Sequence, residues 1–108
     1  MDNVGLSLDA VQAAPSWGKI VNFTAPKNSI GIQMIPLAGT NGTVTVYGSQ
    51  DGVTFSNLPG LNAVSCSGFG IPTLLMGFGP PVIAARAHLD AIGTSVGTAA
   101  MTVWITGY

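Results

Sequence analysis

His88 is the single histidine of the chain and stands two residues from both Arg86 and Asp90. On a strand, alternate side chains share a face, so these three would form an Arg-His-Asp row. A general base can use an orienting carboxylate of this kind. No Ser or Cys nucleophile is tied to the row by spacing, however, and Arg86 and Asp90 can also satisfy each other as a structural pair. Cys66, in Ser65-Cys66-Ser67-Gly68, is the only cysteine and has no adjacent basic residue to lower its pKa. It reads as a small packing residue. Gly68 and Gly70 lack the third glycine and the helix of a dinucleotide fingerprint. Asp51-Gly52 offers one oxygen where calcium takes about six or more. One histidine with scattered aspartates gives no converging set of metal ligands. The residues imply no catalytic site, no metal and no cofactor.

Stacking is the chemistry that remains. Trp17, Tyr47, Trp104 and Tyr108 are the large polar-tipped aromatics. Tyr47 and Trp104 fall on the Thr-bearing faces of alternating runs, where their rings can be exposed and can hold a sugar. The competing reading is that the opposite sheet, or a neighbouring subunit, covers them. Tyr47 and Trp104 are the candidate exposed aromatic face.

These residues need strands to position them. Thr43-Val44-Thr45-Val46-Tyr47 alternates, with Val44 and Val46 on one side. Asn41-Gly42 before it is a hairpin-turn dipeptide, which makes Ile30–Ile35, stopped at Pro36, the expected partner. Gln50-Asp51-Gly52 turns the chain into Val53-Thr54-Phe55, and Asn57-Leu58-Pro59-Gly60 turns it again. Further strand-like runs are Val4–Leu8, Lys19–Thr24, Leu61–Ser65, Val82–Leu89 and Ala99–Thr106. In the last, Met101, Val103 and Ile105 face one way. Val82–Ala91 has helical propensity in its alanines, but Gly79-Pro80-Pro81 and Gly93 bracket a run of strand length. About eight short strands with regular turn signals read as a single all-β domain over residues 1–108. The expected fold is an antiparallel β-sandwich, jelly-roll-like.

Charge sets the class of partner. Four aspartates, two lysines and one arginine make 6% of 108 residues, for a net charge of -1. An average domain is about 25% charged. Three bases cannot line a nucleic-acid groove, so that partner is excluded. The chain is 47% hydrophobic, yet its charge-free stretch from Val53 to Ala85 is broken by Pro59, Pro72, Pro80 and Pro81. A spanning helix needs about 18 unbroken apolar residues, so no membrane partner is expected. The start, Met1-Asp2-Asn3-Val4, lacks the pattern of a signal peptide. Low charge with branched residues also argues against disorder.

Gly68-Phe69-Gly70-Ile71-Pro72 is echoed by Gly77-Phe78-Gly79-Pro80-Pro81 nine residues later. The segment at 68–81 reads as an apolar Gly/Pro-rich loop, which either folds into the core or packs on another subunit. In the second case Phe69, Ile71, Leu74, Leu75, Met76 and Phe78 form an assembly interface. A surface of Thr, Ser, Asn and Ala with few charges suits burial against copies of the same chain or a larger particle.

The stretch Thr43-Val44-Thr45-Val46-Tyr47-Gly48-Ser49-Gln50-Asp51-Gly52-Val53-Thr54-Phe55 resembles the strand, Ser-x-Asp-Gly turn and strand of small β-sandwich virion proteins of tailed bacteriophages. Ala85-Arg86-Ala87 through Gly97-Thr98-Ala99-Ala100-Met101-Thr102-Val103-Trp104-Ile105-Thr106-Gly107 is similar to their closing strands. The resemblance implies a non-enzymatic capsid decoration (cement) protein or tail accessory module. It implies a homo-oligomer, a trimer by preference, bound to the major capsid protein or another virion protein. The location would be the virion, assembled in the host cytoplasm. The alternative is a carbohydrate-binding or adhesin module of a phage tail fibre.

Overall fold

The computed structural model describes residues 3–58, 60–66, 73–94 and 97–108, with the backbone alone at 73–76, 78 and 94. The described residues form eight strands: β1 Val4–Val11, β2 Ser16–Trp17, β3 Val21–Pro36, β4 Thr40–Ser49, β5 Ser56–Asn57, β6 Val64–Cys66, β7 Thr73–Thr94 and β8 Met101–Gly107. All pairings are antiparallel, in the order β1-β8-β3-β7-β4-β5, with β2 on β7 and β6 on β4. The all-β antiparallel sandwich expected from the sequence is the observed fold.

β7 makes two layers out of one sheet. Its first part pairs with β3, from Thr73 opposite Met34 to Ala85 opposite Val21. Its second part pairs with β4, from Ala84 opposite Ser49 to Thr94 opposite Thr40. One layer is therefore β1, β8, β3 and early β7, and the other is late β7, β4 and the short strands. The core lies between them. Ile30, Ile32, Met34, Met101, Val103 and Ile105 enter it from the first layer, and Val44, Val46, Ala87 and Leu89 from the second. Each such Val, Leu, Ile or Met side chain contributes roughly 1.5–3 kcal/mol when fully buried. The layers meet closely: a Cβ on Gly42 of β4 would lie 2.5 Å from Met101 Cε of β8.

Period-two alternation settles the strand-or-helix question at Val82–Ala91. Ala85, Ala87 and Leu89 are buried, while Arg86, His88 and Asp90 between them are half-buried on the other side. Only a strand sorts neighbours this way.

Four expectations need correction. Asn41-Gly42 makes no hairpin between Ile30–Ile35 and Thr43–Tyr47: both residues lie inside β4, opposite Gly93 and Ile92. The β3–β4 connection is instead a tight turn closed by Thr40 N–H donating to Leu37 O (2.8 Å), with Gly39 at φ +84°. That left-handed backbone suits glycine, and two packed layers override the local dipeptide signal. Val53-Thr54-Phe55 is not a strand, because Asp51 draws Val53 and Thr54 into its own turn. Two of the strands are long rather than short, at 16 residues for β3 and 22 for β7. The segment read as a loop at 68–81 is strand from Thr73 onward. Gly79-Pro80-Pro81 does not stop β7, because Phe78 faces Ser29 and Val82 faces Lys27. The prolines thus sit in a bulge where the ladder requires no N–H.

Candidate functional site

Trp17, Tyr47, His88 and Arg86 meet on the outer face of the second layer. The register brings them together: β2 places Trp17 opposite His88, and β4 places Thr45 opposite His88 and Tyr47 opposite Arg86. The Trp17 ring centroid lies 4.4 Å from His88 and 4.9 Å from Tyr47, tilted by 54° and 58°. Tyr47 meets His88 edge-on at 6.2 Å. Trp17 thus reaches across β7 while remaining 51% exposed.

Arg86 anchors this ledge. Its Nε and Nη2 donate to Gly18 O at 3.1 and 2.8 Å, and its guanidinium carbon stands 4.8 Å from the Trp17 centroid and 5.8 Å from that of Phe55. A cation over an indole face is attracted by the ring's quadrupole and helps to hold the ring in place. Gly18 N–H donates to Ala87 O (2.8 Å), and Lys19 N–H to Ser7 O (2.7 Å). Buried Ser7 Oγ donates to Lys19 O (2.8 Å) and accepts the N–H of Ala87 (2.9 Å). No side chain fits at Gly18, where a Cβ would lie 2.6 Å from Ser7 O. β2 is only two residues long, but the backbone fixes it.

A polar fringe borders the rings. His88 Nδ1 lies 2.5 Å from Asp90 Oδ1. Because the carboxylate only accepts, Nδ1 donates, which leaves Nε2 as the ring's acceptor in neutral imidazole. The Thr45 hydroxyl donates to Asp90 Oδ2 (2.6 Å) and accepts the N–H of Ala63 (2.9 Å). Ala63 takes φ +53° to aim that N–H, an unusual conformation for a residue with a Cβ. Exposed Asn57 and Asn62 adjoin, with Asn57 Nδ2 donating to Asn62 Oδ1 (3.5 Å).

Beside the ledge is a cleft of about 480 Å³ lined by Gln50, Asp51, Thr54, Ser56, Asn57 and Leu58, among others. Asp51 builds its wall. One carboxylate oxygen accepts the N–H groups of Thr54 (2.7 Å) and Val53 (2.8 Å) and the hydroxyl of Ser49 (2.9 Å). These bonds, that to Thr54 foremost, hold its pKa well below the usual carboxylate range. A depressed folded-state pKa means that the contribution is present above the unfolded value and lost as pH falls below it. Asp51→Asn keeps the acceptor oxygen but not the charge. Its thermal midpoint should therefore fall less than that of the parent between about pH 5 and pH 2, as followed by circular dichroism.

The Arg86-His88-Asp90 row read from spacing is present on one face, joined by Thr45 and Trp17. Tyr47 and Trp104 are not brought together: Trp104, 39% exposed, points outward from β8 in the other layer, opposite Leu6 and Gln33. Thr45, expected on an open face, is 3% exposed, with its hydroxyl bonded among Asn62, Ala63 and Asp90. Cys66 is a free core thiol whose pKa is pushed up by burial. Of the candidate interface, Phe69 and Ile71 lie outside the described residues. Leu74, Leu75, Met76 and Phe78 are backbone positions of β7 opposite Gln33, Ile32, Gly31 and Ser29. Sequence reasoning placed Trp17 among the aromatics without giving it a partner. The signal was Trp-Gly, an aromatic beside a residue that permits close backbone approach.

No protein-family model and no curated protein matches the chain by sequence. Solved structures do match it in shape. The CBM32 of AlyQ, in complex with 4,5-unsaturated mannuronic acid, is similar with a TM-score of 0.64 at 11% identity over 89% of this chain and 74% of that one. Chitosan-binding module 1 from the chitosanase/glucanase of Paenibacillus sp. IK-5 has a TM-score of 0.61 at 15% identity, covering 94% and 76%. The SPBc2 prophage-derived protein YomS has a TM-score of 0.59 at 10% identity, covering 97% and 91%. At these identities the likeness is one of fold: the chain shares its small β-sandwich with carbohydrate-binding modules and with a prophage-derived protein.

Proposed function

We propose that this chain is a non-catalytic carbohydrate-binding module whose ligand stacks on Trp17, with Tyr47, His88 and the Asn57–Asn62 fringe giving orientation. The observation that carries the reading is Trp17 itself: a half-exposed indole on a rigid support of Arg86, His88 and Tyr47. A sugar ring offers one apolar face to an aromatic and hydroxyls to a polar edge, and this ledge has both parts. That several solved structures of similar shape are carbohydrate-binding modules supports the same reading. Of the two roles weighed from the sequence, sugar binding therefore stands ahead of capsid decoration. Screening the protein against immobilised neutral, acidic and amino glycans tests it. Saturable binding that free sugar displaces is the expected result. Absence of binding to every class would overturn it.

A virion setting has its own support in the likeness to YomS along nearly the full length of both chains, and in the low surface charge. The two fit together as an adhesin module of a phage tail fibre. A capsid-decorating trimer bound to the shell is the second reading, resting on the same likeness and on the resemblance of the Thr43–Phe55 block.

A further inference from the structure

We infer that the ledge and the neighbouring cleft form one extended site for a neutral oligosaccharide, rather than a perch for a single sugar; this rests on the carbohydrate-binding reading above. Arg86 links the two parts, with its guanidinium between the rings of Trp17 and Phe55. Phe55 is flanked in sequence by Thr54 and Ser56, and both of these line the cleft. Asn57 belongs to both parts: it pairs with Tyr47 in the ladder, reaches Asn62 at the fringe and forms part of the cleft wall. About 480 Å³ is within the range of about 300–1,000 Å³ that small-molecule clefts occupy. One ring on Trp17 therefore leaves a second cavity to fill, and the linked units of one chain fill both.

The lining chooses the charge of the ligand. Gln50, Thr54, Ser56 and Asn57 carry amide and hydroxyl groups, with Leu58, Pro80 and Val82 as the apolar part. These pair with sugar hydroxyls and ring faces. The charged member of the wall is Asp51, held ionised by its own turn. At the ledge both oxygens of Asp90 are already bonded and Arg86 is tied to Gly18 O. A uronic acid would meet carboxylates without a free guanidinium to match it, and like charges in a shared site disfavour binding.

The test is calorimetric titration with neutral gluco-, galacto- and manno-saccharides of one to four residues, alongside an oligogalacturonate. The result expected for the series that binds is a gain of tenfold or more from monosaccharide to trisaccharide, with weaker binding of the uronate. The double substitution Thr54→Ala, Ser56→Ala, at two exposed positions, should remove most of that gain. Amide resonances of Gln50–Ser56 should move with the trisaccharide and stay still with the monosaccharide. Equal affinity for one and three residues, or still resonances at 50–56 with the trisaccharide, would overturn the extended site while leaving the ledge standing. Failure of every length to bind would overturn both.

Discussion

Replacing Trp17 with alanine should weaken saccharide binding by about 30-fold or more, the equivalent of about 2 kcal/mol, while the thermal midpoint stays nearly constant. The two effects separate because of how β2 is held. Its docking uses backbone and neighbouring groups: Gly18 N–H on Ala87 O, Lys19 N–H on Ser7 O, and Arg86 on Gly18 O. None of these needs the indole. What the indole supplies is a flat surface, half open to solvent, that no other described side chain of the ledge provides. Trp104→Ala is the matched control, since Trp104 is also exposed but lies on the opposite layer; it should leave affinity intact. Calorimetric titration of both variants with the glycan that binds reads the difference directly. If Trp104→Ala caused the loss and Trp17→Ala did not, the site would belong to β8.

The largest effect on stability is expected at Leu89, where truncation to alanine should cost about 3 kcal/mol and lower the thermal midpoint by more than about 10 °C. Leu89 is fully buried, lies opposite Ser16 of β2 and Val44 of β4, and belongs to the core that joins the two layers. A cavity there has rigid walls, because the strands on both sides are held by ladders and cannot collapse inward. Its chain neighbours are His88 and Asp90, so the loss also loosens the floor of the ledge. Val53→Ala is the contrast, because that side chain is 82% exposed and its removal should cost under about 0.5 kcal/mol. Urea denaturation of both variants measures the two costs. Equal costs would mean that the core does not lie between the layers.

Where period-two alternation had a single solution, the sequence was sufficient to see the structure. Met101, Val103 and Ile105 face the core as their spacing requires, and so do Val44 and Val46. The same rule put Arg86, His88 and Asp90 on one face before any partner was known. Pairing was less legible. Asn41-Gly42 has turn chemistry, but turn propensity is local, and the ladder between β4 and β7 outweighs it. Gly79-Pro80-Pro81 reads as a stop until the bulge opposite β3 removes the need for N–H donors. The ledge was hidden for a related reason. Trp17 sits on a two-residue strand too short to carry any alternation, and its place beside His88 and Tyr47 depends on contacts with chain segments far away in sequence. Trp104 satisfied the pattern of an exposed ring equally well, and alternation along one strand does not say which layer that strand joins.

The sharpest test of sugar binding at the ledge is the pair of indole N–H resonances in a ¹H–¹⁵N spectrum, one from each tryptophan. Adding a neutral trisaccharide that the protein binds should shift the Trp17 indole signal, together with the amides of Tyr47 and His88, and leave Trp104 where it is. A shift confined to Trp104, or saturable binding with Trp17 unmoved, would contradict the assignment of the site to Trp17.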